Sequence, residues 1–323
     1  MKNIFIKSKS GILISMLVFV LICGCNFLGQ NAQRQLIIFH AGSLSVPFHQ
    51  LADSFRAKHP EVRLKLEAAG SRQCARKITE LGKECDIMAS ADYTVIEELL
   101  IPEHTEWYIS FASNEMCLAY TDQSYLKDSI NQMNWYRILA GDQTHFGRSN
   151  PDLDPCGYRT ILAMKLAEIY YQKKGMANKL LSKDRQYIRP KETDLLTLLE
   201  THTLDYIFIY RSVAEQHELN YLVLPDSINL KKPGLAGFYQ KAAVSLSGKQ
   251  PGDTIIKKGE AMVYALTMLK NAPNKADAKA FLQYLFSENG RQIMEMNGQP
   301  TVIPSKNPFY EKVPDIFKEY IKK

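Results

Sequence analysis

Asp154, Pro155, Cys156 and Gly157 stand at the head of an apolar run with helical spacing, the chemistry of a helix start that can meet an anion. Aspartate is a favoured N-cap, proline suits the first helical position, and Ile161, Leu162, Met164, Leu166 and Ile169 continue the pattern. A start of this kind leaves the N–H groups near Cys156 and Gly157 without intrahelical partners. Four further segments carry a polar corner ahead of a helical pattern. Residues 36–39 run into Gly42 and Ser43; residues 62–67 alternate as a strand and end in Gly70 and Ser71; Glu192 precedes Leu195, Leu196, Leu198 and Leu199; residues 206–210 end in Tyr210 and lead into Arg211 and Ser212. Serine and tyrosine hydroxyls and backbone N–H groups at such corners are neutral donors that can hydrogen-bond an anion. Each charge-assisted bond of this type contributes about 1.5–3 kcal/mol. Each of these residues also has a plainer use. Serines cap helices, Asp154 and Glu192 can be helix-end acids, and Tyr210 can be core with its hydroxyl at a rim.

These corners need a scaffold, and the chain supplies an α/β one. Residues 35–109 alternate strand and helix, with a strand over 85–89 and a helix over 94–100, which predicts a parallel sheet. Residues 111–120 read as one long strand with a polar interruption, suited to crossing between lobes. Residues 206–210 form the apolar heart of a second unit. After a Gly/Pro-containing loop near Gly234, residues 242–246 read as the returning strand, 260–268 as another apolar run, and Asn274 and Ser287 as openings of two further helices. A chain that leaves one lobe, builds a second and returns has a two-crossover hinge. The expected division is 35–112 with 241–323 for lobe 1 and 113–240 for lobe 2. Some 300 residues exceed the usual size of one core, which agrees with two lobes. His40, Trp107 and Trp135 read as packing residues.

The N-terminus reads as a secretion signal over 1–24, with Lys2, Lys7 and Lys9 ahead of an uncharged run from Gly11 to Ile22 that is too short for the roughly 18–20 residues of a stable span. Ile22-Cys23-Gly24-Cys25 resembles a bacterial lipobox, with Cys25 as the lipidated first residue; ordinary cleavage near Gly24 or an uncleaved anchor is the alternative. Residues 25–34 then form a tether. Removing the three lysines lowers the formal net charge from +6 to +3, a mild basicity that gives no reason to expect nucleic acid. Cys74, Cys85, Cys117 and Cys156 lack zinc-site spacing and read first as buried thiols, with Cys74 and Cys85 the nearest pair for a disulfide. A hydrolase or transferase using Cys156 would need a histidine base. The chain has no signature for one, no nucleophile elbow and no phosphate loop.

Residues 39–44 (Phe-His-Ala-Gly-Ser-Leu), 67–71 (Glu-Ala-Ala-Gly-Ser), 90–93 (Ser-Ala-Asp-Tyr), Asn150 with 154–159 (Asp-Pro-Cys-Gly-Tyr-Arg) and 205–212 together resemble the tungstate/molybdate-binding proteins of ABC transporters, in the archaeal-type branch of the periplasmic binding protein superfamily. The resemblance covers nearly all of the mature chain. It implies a two-lobed type II periplasmic binding protein fold with the ligand cleft between the lobes. It also implies oxyanion contacts from Gly42, Ser43, Ser71, Asp154, Pro155, Cys156, Glu192 and Tyr210, with Asp154 and Glu192 reaching the Mo or W centre and Asp194 competing with Glu192 for that role. Arg72 and Arg159 orient loops or steer anions in this reading and are not ligands. The expected ligand is tungstate or molybdate, with no cofactor, and another tetrahedral oxyanion such as phosphate or sulfate is the alternative. The expected partners are an ABC permease and its ATPase, met outside the cytoplasm by a lipid-anchored monomer.

Overall fold

The computed structural model describes residues 34–323. The signal, the lipobox with Cys25, and the tether up to residue 33 lie outside the described residues. Arg34 is not tether, since it opens the first strand.

Two five-stranded sheets organise the chain. The first is formed by Arg34–Ala41 (β1), Val62–Ala69 (β2), Ile87–Ser90 (β3), Ile109–Ser113 (β4) and Val263–Met268 (β12), in the order β2-β1-β3-β12-β4. β1 pairs in parallel with β2 and β3, whereas β12 runs antiparallel to both β3 and β4. The expected parallel sheet is therefore mixed, because its fourth strand arrives from the far end of the chain. The second is formed by Met116–Tyr120 (β5), Phe146–Ser149 (β6), Ile188–Arg189 (β7), Tyr206–Tyr210 (β8) and Asn220–Val223 (β9), in the order β7-β6-β8-β5-β9. The apolar β8 is wholly buried at its centre. The helix Pro155–Tyr170 packs on β5, β6 and β8 and buries residues around almost its whole circumference, so it is core rather than an amphipathic cover.

Residues 111–120 are two strands in two sheets. β4 ends at Ser113, β5 begins at Met116, and Asn114 and Glu115 make the passage. The returning passage is fastened where Met262 N donates to Leu230 O at 2.8 Å. The strand that rejoins the first sheet is β12, not residues 242–246 as the sequence suggested. Ala243–Ser247 (β10) instead pairs antiparallel with Thr254–Lys258 (β11) in a separate hairpin. The side chains of β10 alternate between buried and exposed, as a one-face-wet hairpin requires, while the β12 centre is buried on both faces. The strand expected over 85–89 starts at Ile87. Asp86 before it spends both carboxylate oxygens on backbone, accepting from Ile37 N at 2.8 Å and from Asn274 N. Among the described residues no helix is long and apolar enough to cross a membrane. Cys74, Cys85, Cys117 and Cys156 are all buried free thiols, and Cys74 and Cys85 are not bridged.

The packing residues lie where the sequence placed them. Trp135 meets Phe208 edge-on, Trp107 faces Phe317, and His40 lies against Phe48, each of the three buried. Burial lowers the pKa of His40 to about 4, so the ring is neutral in the folded chain. An unfolded histidine gains its proton near its ordinary value of about 6.5, so between these two limits the unfolded chain binds more protons and stability falls as the pH is lowered. Lowering the pH from 7.5 to 5 is expected to remove about 2 kcal/mol through this one residue. Urea unfolding of the wild type and of His40→Asn at both pH values checks it, and equal losses in the two proteins would exclude His40 as the source.

Candidate functional site

The helix Pro155–Tyr170 starts as its sequence predicts. Asp154, extended at φ −138° and ψ 129°, accepts from Cys156 N at 3.1 Å through Oδ1. Its Oδ2 accepts from Glu192 N at 2.9 Å, so one carboxylate both caps the helix and ties down the turn that carries Glu192. Each oxygen keeps a second lone pair.

Glu192 opens a short 3-10 turn, Glu192–Leu195, shortly after β7. It is 1% exposed, and among the described residues neither of its carboxylate oxygens has a hydrogen-bond partner. A Cβ placed on Gly42 would stand 3.0 Å from Oε1 and 3.1 Å from Oε2 of Glu192. Glycine at this corner is what lets the carboxylate lie against the backbone. Asp194 faces elsewhere: it pairs with Lys191 Nζ at 2.7 Å and accepts from Lys191 N at 3.3 Å. Of the two carboxylates that competed in the sequence, Glu192 is the one beside Gly42 and Asp154. Burial, and then the Asp154 charge, pushes the Glu192 carboxyl well above the usual range, and burial also raises Asp154. An unpartnered buried carboxylate is costly unless it is protonated or given a ligand.

The hydroxyls converge from other elements. Ser43 lies in the 3-10 turn Gly42–Leu44 at the end of β1, its Oγ 2.9 Å from the Tyr264 hydroxyl. Ser71 is the first residue of the helix Ser71–Thr79, and its Oγ accepts from Ala91 N at 2.9 Å. Neither serine caps its own helix, since the cap positions are Ala41 and Gly70. The plainer reading of the two serines therefore fails locally, and their hydroxyls are turned inward instead. Tyr210 ends β8 and accepts from Arg159 Nη1 at 3.0 Å. Gly42, Pro155 and Cys156 are buried with them. The Cys156 thiol contacts the Phe208 carbonyl at 3.7 Å and is pushed well above its ordinary pKa by burial, then by Asp154 and Glu192. That is the reverse of an activated nucleophile. Among the described residues no group of three or more His, Cys, Asp and Glu could hold a metal cation.

The two sheets' loops are clasped around these groups. Gln73 N donates to Leu153 O at 3.0 Å, and a Cβ on Gly70 would come within 2.3 Å of that same carbonyl oxygen. Arg72, fully buried, donates to Asp152 O and Ser247 O and pairs with Glu98 at 3.1 Å. Tyr158 donates to Asp92 Oδ2 at 2.6 Å, while Arg159 pairs with that oxygen at 3.1 Å and donates to Ala91 O at 2.7 Å. Burial opposes the Asp92 charge, but Lys257 and Arg159 outweigh it and hold the carboxyl well below the usual range. Both arginines thus fasten loops, and their guanidinium groups are directed at these partners rather than at the Asp154–Glu192 pair. Sequence reasoning gave no role to Asp92, Tyr158, Asn114 or Tyr264, although the first two stand in segments that carry the resemblance. Asp92 does carry a legible signal, because its Oδ1 caps the helix Tyr93–Leu99 through Thr94 N. Tyr264 lies inside an apolar strand and has none.

Residues 36–299 match the family described as bacterial extracellular solute-binding protein. An uncharacterized solute-binding protein of Petrotoga mobilis is 48% identical over 307 residues, covering 95% of this chain and 96% of its own. The molybdate/tungstate-binding protein WtpA of Pyrococcus abyssi is 44% identical over 322 residues, covering 90% and 92%. Among solved structures, the periplasmic molybdate-binding protein of Azotobacter vinelandii aligns with a TM-score of 0.57 at 17% identity, over 82% of this chain and 98% of that one. The sulfate-binding protein SubI of Mycobacterium tuberculosis aligns with a TM-score of 0.58 at 11% identity, over 83% and 87%. At such identities the structures share a fold, here the two-lobed one of periplasmic binding proteins. With most of its length matched and near relatives covered from end to end, this chain belongs to the bacterial extracellular solute-binding protein family.

Proposed function

We propose that the protein captures molybdate or tungstate outside the cytoplasm, closes its two lobes on the oxyanion and presents it to the permease of an ABC importer, whose ATPase drives uptake. Lipidation at Cys25 would keep it at the membrane as a monomer. The observation that carries this reading is the buried Glu192 carboxylate, without a partner among the described residues, beside Asp154 and among neutral donors. Relatives named as molybdate/tungstate-binding proteins support it.

The carboxylates and the hydroxyls divide the ligand between them. Ser43, Ser71, Tyr210 and the N–H groups at Gly42, Cys156 and their neighbours suit the oxygens. Once ionised, Asp154 and Glu192 would repel those oxygens at close range, so they make sense as oxygen donors to the metal centre. Mo(VI) and W(VI) are large enough to accept ligands beyond those of the free tetrahedral oxyanion. The centres of sulfate and phosphate are too small, so for them the same carboxylates act as repulsion and give selectivity. Closure is a hinge motion stabilised by contacts that exist only when the lobes meet, such as Gln73 to Leu153 and Tyr158 to Asp92.

Calorimetric titration of the chain starting after Cys25 is expected to show tight binding of tungstate and molybdate, and none of sulfate or phosphate at equal concentrations. Glu192→Gln should weaken tungstate about ten- to a hundredfold without lowering the melting temperature of the ligand-free protein. Equal affinity in wild type and variant, or tight sulfate binding, would overturn metal coordination by the carboxylate.

Gly70 supplies an independent test of closure. Its φ of −60° is open to any residue, so the cost of a side chain comes from the Leu153–Asp154 segment it would strike. Gly70→Ala is expected to weaken tungstate more than about tenfold and to reduce the ligand-induced compaction seen by small-angle scattering. Gly234→Ala, at an exposed position with no atom within 4 Å of the added carbon, should match the wild type. Normal compaction in Gly70→Ala would mean that the lobes do not close along this seam.

A further inference from the structure

Ser43 is held by a ring of hydrogen bonds that runs through the passage between the sheets. The Asn114 amide is oriented by its own surroundings: Oδ1 accepts from Glu115 N at 2.9 Å, which fixes Nδ2 as the donating end. Nδ2 donates to Ser212 Oγ at 2.7 Å and to the Tyr264 hydroxyl at 3.1 Å. The Tyr264 hydroxyl lies 2.9 Å from Ser43 Oγ. Gln299 Nε2 closes the ring, donating to Ser43 O at 2.7 Å and to Ser212 Oγ at 3.3 Å. Ser43, Asn114, Ser212, Tyr264 and Gln299 are all buried, so the pattern is not loosened by bulk water.

The polarity of this chain of bonds has a chemical consequence. A serine hydroxyl can donate or accept, and only a donating one favours an anion. Of the two groups that bond the Tyr264 hydroxyl, Asn114 Nδ2 can only donate, so Ser43 Oγ is the one that can take the tyrosine's single proton. Ser43 then accepts from Tyr264, and its proton is left to point at a ligand oxygen. The geometry points to Asn114 and Tyr264 as positioning residues that set the Ser43 hydroxyl as a donor to the bound oxyanion, and so link that donor to the passage between the lobes. This assignment rests on the oxyanion-binding reading above. Because Asn114 sits between β4 and β5, and Ser212 lies in the helix that follows β8, a change in the passage would reach the donor through two hydrogen bonds.

A double-mutant cycle on tungstate dissociation constants tests it, using Ser43→Ala, Tyr264→Phe and the pair. Phenylalanine keeps the ring that packs edge-on against Phe111 and Tyr210 and removes only the hydroxyl. Each single change should weaken binding at least about tenfold, and the pair no more than about twofold beyond the worse single, because Tyr264 acts through Ser43. Asn114→Asp, which replaces the donating group by an acceptor of the same size, should likewise cost affinity when Ser43 is present and little in Ser43→Ala. Losses that multiply, or wild-type affinity in Tyr264→Phe, would overturn the relay while leaving the binding function in place. Failure of the wild type to bind tungstate or molybdate would overturn both. Melting temperatures of the ligand-free variants separate these outcomes from misfolding, and Asn114→Asp reads the same coupling if Tyr264→Phe does not fold.

Discussion

Two carboxylates buried side by side, one of them without a hydrogen bond among the described residues, are the constraint around which the rest is arranged. Asp154 is made tolerable by two backbone N–H donors, whereas Glu192 makes no hydrogen bond of good geometry and lies against the Gly42–Ser43 backbone and Asp154. A fixed cation beside Glu192 would relieve that cost. The buried guanidinium of Arg159 is committed elsewhere, to Asp92, Ala91 O and the Tyr210 hydroxyl. Lys191, one residue away in sequence, is held by Asp194. The positive charge of these two side chains is thus neutralised locally, and the pocket keeps its electrostatic demand.

Closing that pocket asks for close approach of backbones, and the chain meets it with glycine at two corners. At Gly42 the partner is the Glu192 carboxylate, and at Gly70 it is the Leu153 carbonyl. A third position, Gly157, lets the first turn of its helix lie against Ser149 O, where a Cβ would come within 2.4 Å. The first two contacts join the ends of β1 and β2 in one sheet to the loops that follow β6 and β7 in the other. Arg72 and the Asp92 cluster lock the same seam. In the proposed reading closure and site formation are one event, because the atoms that seal the seam are neighbours in sequence of the atoms assigned to the ligand.

Much of this was readable from residue types. The Asp154-Pro155 start, the polar corners after β1, β2 and β8, and the packing roles of His40, Trp107 and Trp135 follow from local rules of capping and periodicity that act within a few residues. What was not readable depended on partners far apart in the chain. Residues 242–246 have the composition of a buried strand, yet they pair with their own neighbour in a hairpin, because strand composition does not name the partner. Glu192 and Asp194 are nearly equivalent by type, and only Lys191 on one side and Gly42 on the other tell them apart. Tyr264 and Asn114 are ordinary in sequence, since what distinguishes them is a hydrogen bond across 150 residues of chain.

The origin of each group in the fold also decides what a ligand must do. Asp154 and Glu192 both hang on the second sheet, joined by the Glu192 N to Asp154 bond, whereas Ser43 and Ser71 stand at the ends of strands in the first. In the proposed reading, an anion whose centre takes no further ligands would find donors on both sheets, since Tyr210 and Cys156 belong with the second, but would gain nothing from bringing two carboxylates closer. On that reading an oxometallate with room at its centre gains oxygen ligands from the second lobe and hydrogen bonds from both, so its best contacts exist only when the two meet. Selectivity and closure then have the same cause. As proposed, the ligand whose centre can accept both carboxylates is also the one whose binding draws the lobes together, and an ion of similar charge with a smaller centre would fail at both.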